Sequence, residues 1–451
     1  MNSNQNICVL GLGHVGLTLS LVMAEKGFKV FGFDINEKVI EDTKACKCNF
    51  YEKDISTYLR RYSNKNLFAT SDLSEVEASV YIITVGTPIN PETNIPRIDY
   101  IEQASRSIAS KIKKGDTVIL RSTVPVGTTR NVVAPILSEI SGLTCGEDYS
   151  LSYAPERTIE GEALAEIKEL PQVIGGFDRR SREITEKIFK RITGGLISDV
   201  ELLENAEMVK IMNNTFRDVK FAYSNELALI CKGLGLDMVK LTKAANLGYT
   251  RDKIPEPSPG VGGACLSKDS YILAYSTKDS RYQASLVLQA REVNESIPSD
   301  IASSLNERLE SAGKKLSEAK IFIVGFAFKG SPETSDIRQS TTLDLLNDLV
   351  DLGANLNTIC GFDPVVSQEA IEALDVAYVE YEKGFDKADA VLFMNNHRSY
   401  SGLDIFSLLD MAKEDCILFD GWHTFEPADI TSLGSIEYLG VGCSYRPGSN
   451  E

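Results

Sequence analysis

Residues 260–269, GVGGACLSKD, place a cysteine among three glycines with a lysine and an aspartate close behind. A thiol reacts as its thiolate, and Lys268 would favour that form of Cys265, while Asp269 could hold a water or a lysine in place. Glycines at 260, 262 and 263 leave a backbone with little bulk, able to fold around a ligand and aim free amides at it. Packing accounts for most single cysteines, but not for one flanked in this way. The chemistry that fits is nucleophilic addition to an aldehyde.

A second constellation lies near the start of the chain. GLGHVG (11–16) follows the apolar run ICVL and precedes LTLSLVMAEKG, a helical stretch. Gly11 permits a tight turn, Gly13 lets backbone amides approach a pyrophosphate, and Gly16 lets helix pack on strand, with His14 and Val15 completing the motif. The helix start adds partial positive charge for phosphates. Asp34 ends the next apolar run, FGFD, where a carboxylate accepts both ribose hydroxyls and repels the extra phosphate of NADP. NAD is therefore the expected cofactor.

Other polar residues gain meaning only from their placement. VGTP (85–88), with Gly86, Thr87 and Pro88, and STVPVGTT (122–129) each follow an apolar run, so they either line a ligand crevice or are ordinary loops. Thr123 could present its hydroxyl to a substrate or to water. In ENAEMVKIMNNTFRDVKFAYSNELALICKGLG, Lys210 and Asn214 share a helical face, and Asn225, three turns on, falls on nearly the same stripe. Such a face either surrounds an oxyanion, with Asn225 as a substrate contact, or is a solvated polar face. YAPERTIEG (153–161) sets Glu156 and Arg157 just beyond an apolar strand, as partners for water and a sugar or as a surface ion pair. VGFAFKGSPETSDIRQS (324–340) reads as a degenerate nucleotide site around Lys329, and Arg338 and Arg251 are candidate phosphate partners.

These residues need a scaffold. From residue 6 to about 200, the runs ICVL, VFGF, VYIIT, TVILR, YSLSY and QVIGG alternate with amphipathic stretches, which predicts a doubly wound parallel sheet. A second alternation runs from KIFIVGF (320–326) through LNTIC, AVLFM and CILFD. Between them the pattern is helical, including a segment from Gln283 to Leu309. A chain of 451 residues exceeds one typical core, and three domains are expected, at 1–199, 200–315 and 316–451. The long apolar helices of the middle domain are natural dimerisation surfaces.

Composition narrows the partners. A net charge of −17 argues against nucleic acid or an anionic membrane as main partner. MNSNQNICVL lacks the charged start and apolar run of an export signal, and no apolar stretch reaches the roughly 20 residues that span a bilayer, so a cytosolic protein is expected. Nine scattered cysteines suit reduced thiols. With only three histidines, none near Cys46 and Cys48, no metal site is expected.

Taken in order, GLGHVG, VGTP, STVPVGTT, PER, the pair Lys210 and Asn214, GGACLSKD, FAFKG and DIRQS resemble the nucleotide-sugar 6-dehydrogenases of the UDP-glucose/GDP-mannose dehydrogenase family, over nearly the whole chain. The resemblance implies two Rossmann-like α/β domains joined by a central helical domain, and a four-electron oxidation using two NAD molecules in turn. It implies that Cys265 traps an aldehyde as a thiohemiacetal, that a second hydride loss leaves a thioester, and that water releases a uronic acid. Lys210 and Asn214 would then stabilise charge on oxygen, with Lys210 also exchanging a proton. Asp269, Thr123 and Glu156 would position water and assist proton transfer. Lys268 and Arg338 look like NAD contacts, while Phe328, Lys329, Gly260 and Gly262 look like nucleotide-sugar contacts, with Arg251 entering from the neighbouring subunit of a homodimer.

PER, where relatives acting on UDP-glucose or GDP-mannose usually have PEF, resembles the UDP-N-acetylhexosamine branch, with Arg157 meeting a more polar sugar. Ala264 and Ser267 stand in place of that branch's histidine and proline. The expected substrate is UDP-N-acetyl-D-mannosamine, with UDP-N-acetylglucosamine and UDP-glucose as alternatives. A one-step hydroxyacid dehydrogenase, or a non-catalytic NAD and nucleotide sensor, would leave the thiol loop and the second nucleotide-like half unexplained.

Overall fold

The computed structural model describes residues 5–447; residues 1–4, the beginning of the N-terminal run read above, and residues 448–451 lie outside the described residues. Two compact units divide the chain, one built from residues up to 214 with 268–284, the other from 215–267 with 285 onward.

The first unit is an eight-stranded sheet. Its strands are β1 (Asn6–Leu10), β2 (Lys29–Phe33), β3 (Leu67–Thr70), β4 (Val80–Ile83), β5 (Thr117–Leu120), β6 (Ser150–Tyr153), β7 (Gln172–Gly176) and β8 (Ile197–Leu202), in the order 3-2-1-4-5-6-7-8. Alternate residues of β1 show how both faces are buried: Ile7 and Val9 enter one apolar cluster, Cys8 and Leu10 the other. Helix α1 (His14–Glu25) lies over the first of these, its Leu17, Leu21 and Val22 packed in the same cluster. Each such fully buried aliphatic side chain contributes roughly 1.5–3 kcal/mol.

Sheet two, in the second unit, repeats the plan. It comprises β9 (Ile321–Val324), β10 (Ile359–Phe362), β11 (Ala377–Tyr378), β12 (Ala390–Phe393), β13 (Cys416–Asp420), β14 (Ile436–Gly440) and β15 (Cys443–Tyr445), ordered 11-10-9-12-13-14-15. Both sheets reverse direction of growth beside their first strand, the place where doubly wound sheets open a ligand crevice.

Between the strands of the two sheets the sequence is helical, as expected. It holds α2 (Leu203–Leu234), α3 (Leu266–Ser276) and α4 (Ser285–Ser311), and α5 (Thr341–Asp351) follows β9. Contacts assign residues 203–214 of α2 to the first unit and 215–234 to the second. Among the described residues no helix is long and apolar enough to cross a membrane.

One departure matters for the site. β7 pairs antiparallel with β6, Ser152 opposite Gly176 and Tyr153 opposite Gly175, so the sheet is not wholly parallel as the alternation predicts. The 154–171 connection therefore returns at the carboxyl end of β6 instead of crossing the sheet, which keeps Glu156, Arg157 and Gln172 at the crevice end. β14 and β15 are likewise antiparallel. Strand β8, ISDVEL, escapes a pattern search because it is polar and mostly exposed.

Candidate active site

The dinucleotide turn is built as its glycines require. Gly11 has φ +92° and its amide donates to Phe33 O at 2.8 Å, tying the turn to β2. A Cβ on Gly16 would lie 1.8 Å from Gly11 O and 2.6 Å from Thr84 Oγ1, so only glycine lets α1 start this close to the strand. A Cβ on Gly13 would meet nothing within 4 Å, leaving that side of the turn accessible to a pyrophosphate. Asp34 directly follows β2, and its carboxylate is fixed by the amides of Leu12 (2.7 Å) and Asn36 (2.9 Å). His14 sits 3.2 Å from the buried Glu52 carboxylate and against Phe50. This cradle fits NAD.

Loops after β4 and β5 lock together. Thr87 Oγ1 donates to Thr123 O (2.5 Å), Ser122 Oγ donates to Val85 O (2.6 Å), and Tyr153 OH donates to Ser122 O (2.9 Å). Thr87 is buried and its hydroxyl serves the loop, whereas Gly86 and Pro88 are exposed and Thr123 is half-buried.

Past β6, Glu156 is buried, and the surface ion pair with Arg157 does not form. Its partner is Arg121, whose Nη2 and Nε donate to Glu156 Oε2 at 2.6 and 3.2 Å. Nη1 of the same arginine donates to Ala154 O (2.9 Å) and Gln172 Oε1 (3.0 Å). Glu156 Oε1 accepts the amides of Arg157 and Thr158, both at 2.7 Å. Burial alone would raise the Glu156 carboxyl, but Arg121, the Thr158 amide and Lys210 outweigh it and hold the group at about 2. Arg157 itself is exposed.

Lys210 is buried on α2, one turn from the half-buried Asn214. Asn214 Nδ2 donates to Asp269 Oδ2 at 2.5 Å, and Lys268 Nζ donates to Asp269 Oδ1 at 2.9 Å. Asp269, only 1% exposed, thus holds an amide and a lysine in place, as its sequence position suggests. Glu207, a turn before Lys210, was not singled out by the sequence pattern. It accepts from the Gly127 amide (2.5 Å), the Thr129 amide (2.9 Å) and Thr129 Oγ1 (2.5 Å), where burial pushes its carboxyl up to about 7 against those bonds.

In the second unit, Cys265 is exposed immediately before α3. The glycines before it serve close packing within the chain. A Cβ on Gly260 would lie 2.8 Å from Asn294 O, one on Gly262 2.4 Å from Gln339 O, and one on Gly263 2.5 Å from the Phe328 ring. The Gly260 amide donates to Ser258 O and the Gly263 amide to Gln339 O, which corrects the expectation of a loop whose amides all face a ligand. Asn225 is a further correction: it is fully buried, its Nδ2 donating to Asn294 Oδ1 (2.9 Å) and its Oδ1 accepting the Ser258 amide (2.9 Å). One end of its amide holds the loop and the other is committed to α4, so it is not placed to meet a sugar.

The remaining candidates lie on loops of this unit. Lys329 Nζ donates to Pro332 O (2.9 Å), Arg338 forks onto Asp336 (2.6 and 2.9 Å), and the exposed Arg251 guanidinium lies 5.2 Å from the Tyr249 ring. Gly325 (φ +97°) and Asp363 repeat the roles of Gly11 and Asp34, Asp363 accepting the amides of Phe326 (2.7 Å) and Ala327 (3.0 Å). Here, however, no helix starts at the turn; α5 begins only at Thr341, so an anion at this turn would be met by side chains. The first unit therefore gathers Thr123, Glu156, Lys210, Asn214, Lys268 and Asp269 around the cradle's sheet, while Cys265, Phe328, Lys329, Arg338 and Arg251 belong to the second.

Comparison with known proteins gives a three-part match whose middle part takes residues from both units. The NAD-binding domain of the UDP-glucose/GDP-mannose dehydrogenase family matches residues 5–193, its central domain 204–296 and its UDP-binding domain 322–427. The chain is 31% identical over 411 residues to a UDP-N-acetyl-D-mannosamine dehydrogenase of Campylobacter jejuni, covering 89% of this chain and 97% of the relative. It is 30% identical over 409 residues to an NDP-N-acetyl-D-galactosaminuronic acid dehydrogenase of Ralstonia solanacearum, covering 89% and 92%. A solved UDP-D-ManNAc dehydrogenase of Pyrococcus horikoshii superposes with a TM-score of 0.86 at 31% identity, covering 97% of this chain and 99% of that one.

Proposed function

Because this chain belongs to the UDP-glucose/GDP-mannose dehydrogenase family, and so is an NAD-dependent nucleotide-sugar dehydrogenase, we propose that it oxidises the C6 alcohol of UDP-N-acetyl-D-mannosamine to the uronate with Cys265 as covalent nucleophile. The observation that carries this reading is an exposed thiol at a helix start whose first turn bears Lys268 and Asp269.

Gly11, Gly13, Gly16 and Asp34 would hold NAD, and two NAD molecules bound in turn would supply one hydride acceptor for each of the two oxidations. The Cys265 thiolate adds to the aldehyde formed in the first, making a C–S bond and a negative oxygen. After the second, the carbon is an acyl thioester; water attacks it, the C–S bond breaks, and the uronate leaves with the thiolate restored. Lys210 and Asn214 meet the negative oxygen. Asp269, anchored by Asn214 and Lys268, and Thr123 orient the water. Glu156, committed to Arg121 and two amides and held at about 2, shapes the rim and the field around Lys210; it is too weak a base to carry the proton.

Arg157, exposed at that rim, suits an acetamido sugar, and Lys329, Phe328 and Arg338 suit the UDP moiety. Exposed apolar side chains along α2, among them Phe216, Tyr223 and Leu234, support a homodimer, to which Arg251 contributes across the interface. Free thiols and the NAD requirement support a cytoplasmic site of action.

NADH formation with UDP-N-acetylmannosamine, UDP-N-acetylglucosamine, UDP-N-acetylgalactosamine, UDP-glucose and GDP-mannose tests the assignment. The manno sugar should give the highest kcat/KM; a tenfold preference for UDP-glucose would overturn the substrate.

A further inference from the structure

We propose that Arg291 is the positioning residue for the Cys265 thiol, acting through a buried clamp shared with Asp218, Asn294 and Asn225; the proposal rests on the reading of Cys265 as nucleophile. Arg291, on α4, is only 1% exposed. Its Nη2 donates to Val261 O at 2.8 Å, four residues before the thiol, and its Nη1 lies 3.5 Å from the carbonyl of Leu266, the residue after it. The same Nη1 donates to Asp218 Oδ1 at 2.9 Å, which anchors the guanidinium to α2.

Asn294, one turn further along α4, donates to Asp218 Oδ1 (2.8 Å) and to Asp218 O (3.0 Å), and accepts from Asn225 Nδ2. Asn225 in turn receives the Ser258 amide at the start of the loop. The network therefore reaches backbone between residues 258 and 266 at Ser258, Val261 and Leu266, and is tied to α2 through Asp218.

A buried ion pair is a poor way merely to join two helices, because well-packed apolar side chains do that at least as well. What a guanidinium adds is a rigid fork that can grip two carbonyls at once. The loop needs such a grip, since Gly260 and Gly263 adopt positive φ and each of the three glycines has more backbone freedom to lose than another residue would. An attacking atom displaced by about 1 Å loses on the order of a hundredfold in rate. Alcohol oxidation does not require the sulfur, so a loosened clamp should let the aldehyde form and then escape.

The full-length Arg291→Lys enzyme tests this. Lysine keeps a charge against Asp218 but has no fork to span Val261 and Leu266. NAD affinity should stay within twofold of the parent by calorimetry, uronate formation should fall at least tenfold, and added hydrazine should capture aldehyde as its hydrazone, raising the NADH to uronate ratio above two. A fall in uronate with the ratio still at two and no hydrazone would overturn the proposal, as would an unchanged rate. If the lysine variant does not fold, Asp218→Asn with Arg291→Gln removes both charges together and is read by the same two outcomes. A parent enzyme giving one NADH per sugar would instead overturn the nucleophile reading, and the clamp's purpose with it.

Discussion

Replacing Arg121 by methionine should strip a buried carboxylate of its counter-charge. Arg121 donates four hydrogen bonds, two to Glu156 and one each to Ala154 O and Gln172 Oε1, and both members of the pair are almost wholly buried. Two independent estimates bound the cost. Breaking a buried ion pair by removing one partner typically costs about 3–5 kcal/mol. Lowering Glu156 from its ordinary 4.5 to about 2 corresponds to roughly 3 kcal/mol of folded-state preference for the carboxylate.

The sign follows from linkage. A depressed carboxylate contributes stability that is fully present above the unfolded value near 4.5 and is lost as pH falls toward 2. Arg121→Met should therefore lower stability by roughly 3 kcal/mol at pH 7, and much less at pH 3. Urea unfolding of the first unit, followed at both pH values, measures this. The double variant Arg121→Met with Glu156→Leu should recover much of the loss, because no lone charge remains buried. A loss under about 1 kcal/mol at pH 7, or an equal loss at pH 3, would refute the pairing and the role assigned to Glu156.

Gly16→Ala should raise the NAD dissociation constant more than tenfold by calorimetry, since the added carbon must displace Gly11 O from 1.8 Å; unchanged affinity would contradict the cradle. Glu207→Gln should change the pH dependence of stability in the opposite sense to Glu156. With the folded carboxyl raised to about 7, the folded protein keeps a proton the unfolded chain has lost, so stability falls as pH rises from about 4.5 to 7. Thermal midpoints across that window should decline less steeply in the variant. Cys265→Ser should abolish uronate formation while leaving NAD affinity within twofold, and a variant that still makes acid at the parent rate would remove the nucleophile.

Backbone constraints made part of this site legible from sequence. Gly11 and Gly16 are required by a positive φ and a close approach that no other residue tolerates, and the run around them has the strand and helix those constraints need. Asp269 is readable because its neighbour in the chain, Lys268, is also its neighbour in space. Arg121 and Arg291 are not, since an arginine after an apolar run or within a helix is ordinarily solvated, and only the fold supplies Glu156 and Asp218.

Asn225 shows the limit of periodicity. The stripe shared with Lys210 is correct for a helix, but burial against Asn294 and Ser258, both distant in sequence, decides what the amide does. In the sequence the glycines at 260, 262 and 263 look open toward a ligand; in the fold they are spaces that Asn294, Gln339 and Phe328 fill. β7 reversed the expected strand direction because nothing in QVIGG encodes whether the preceding connection crosses the sheet.

The most direct test of the mechanism is mass spectrometry of the enzyme quenched during turnover with UDP-N-acetylmannosamine and NAD, using Asp269→Asn to slow hydrolysis. The peptide carrying Cys265 should gain the mass of the UDP-sugar acyl group, and hydroxylamine should remove it as expected for a thioester. Steady turnover with that peptide unmodified, or an acyl group on another residue, would contradict covalent catalysis by Cys265.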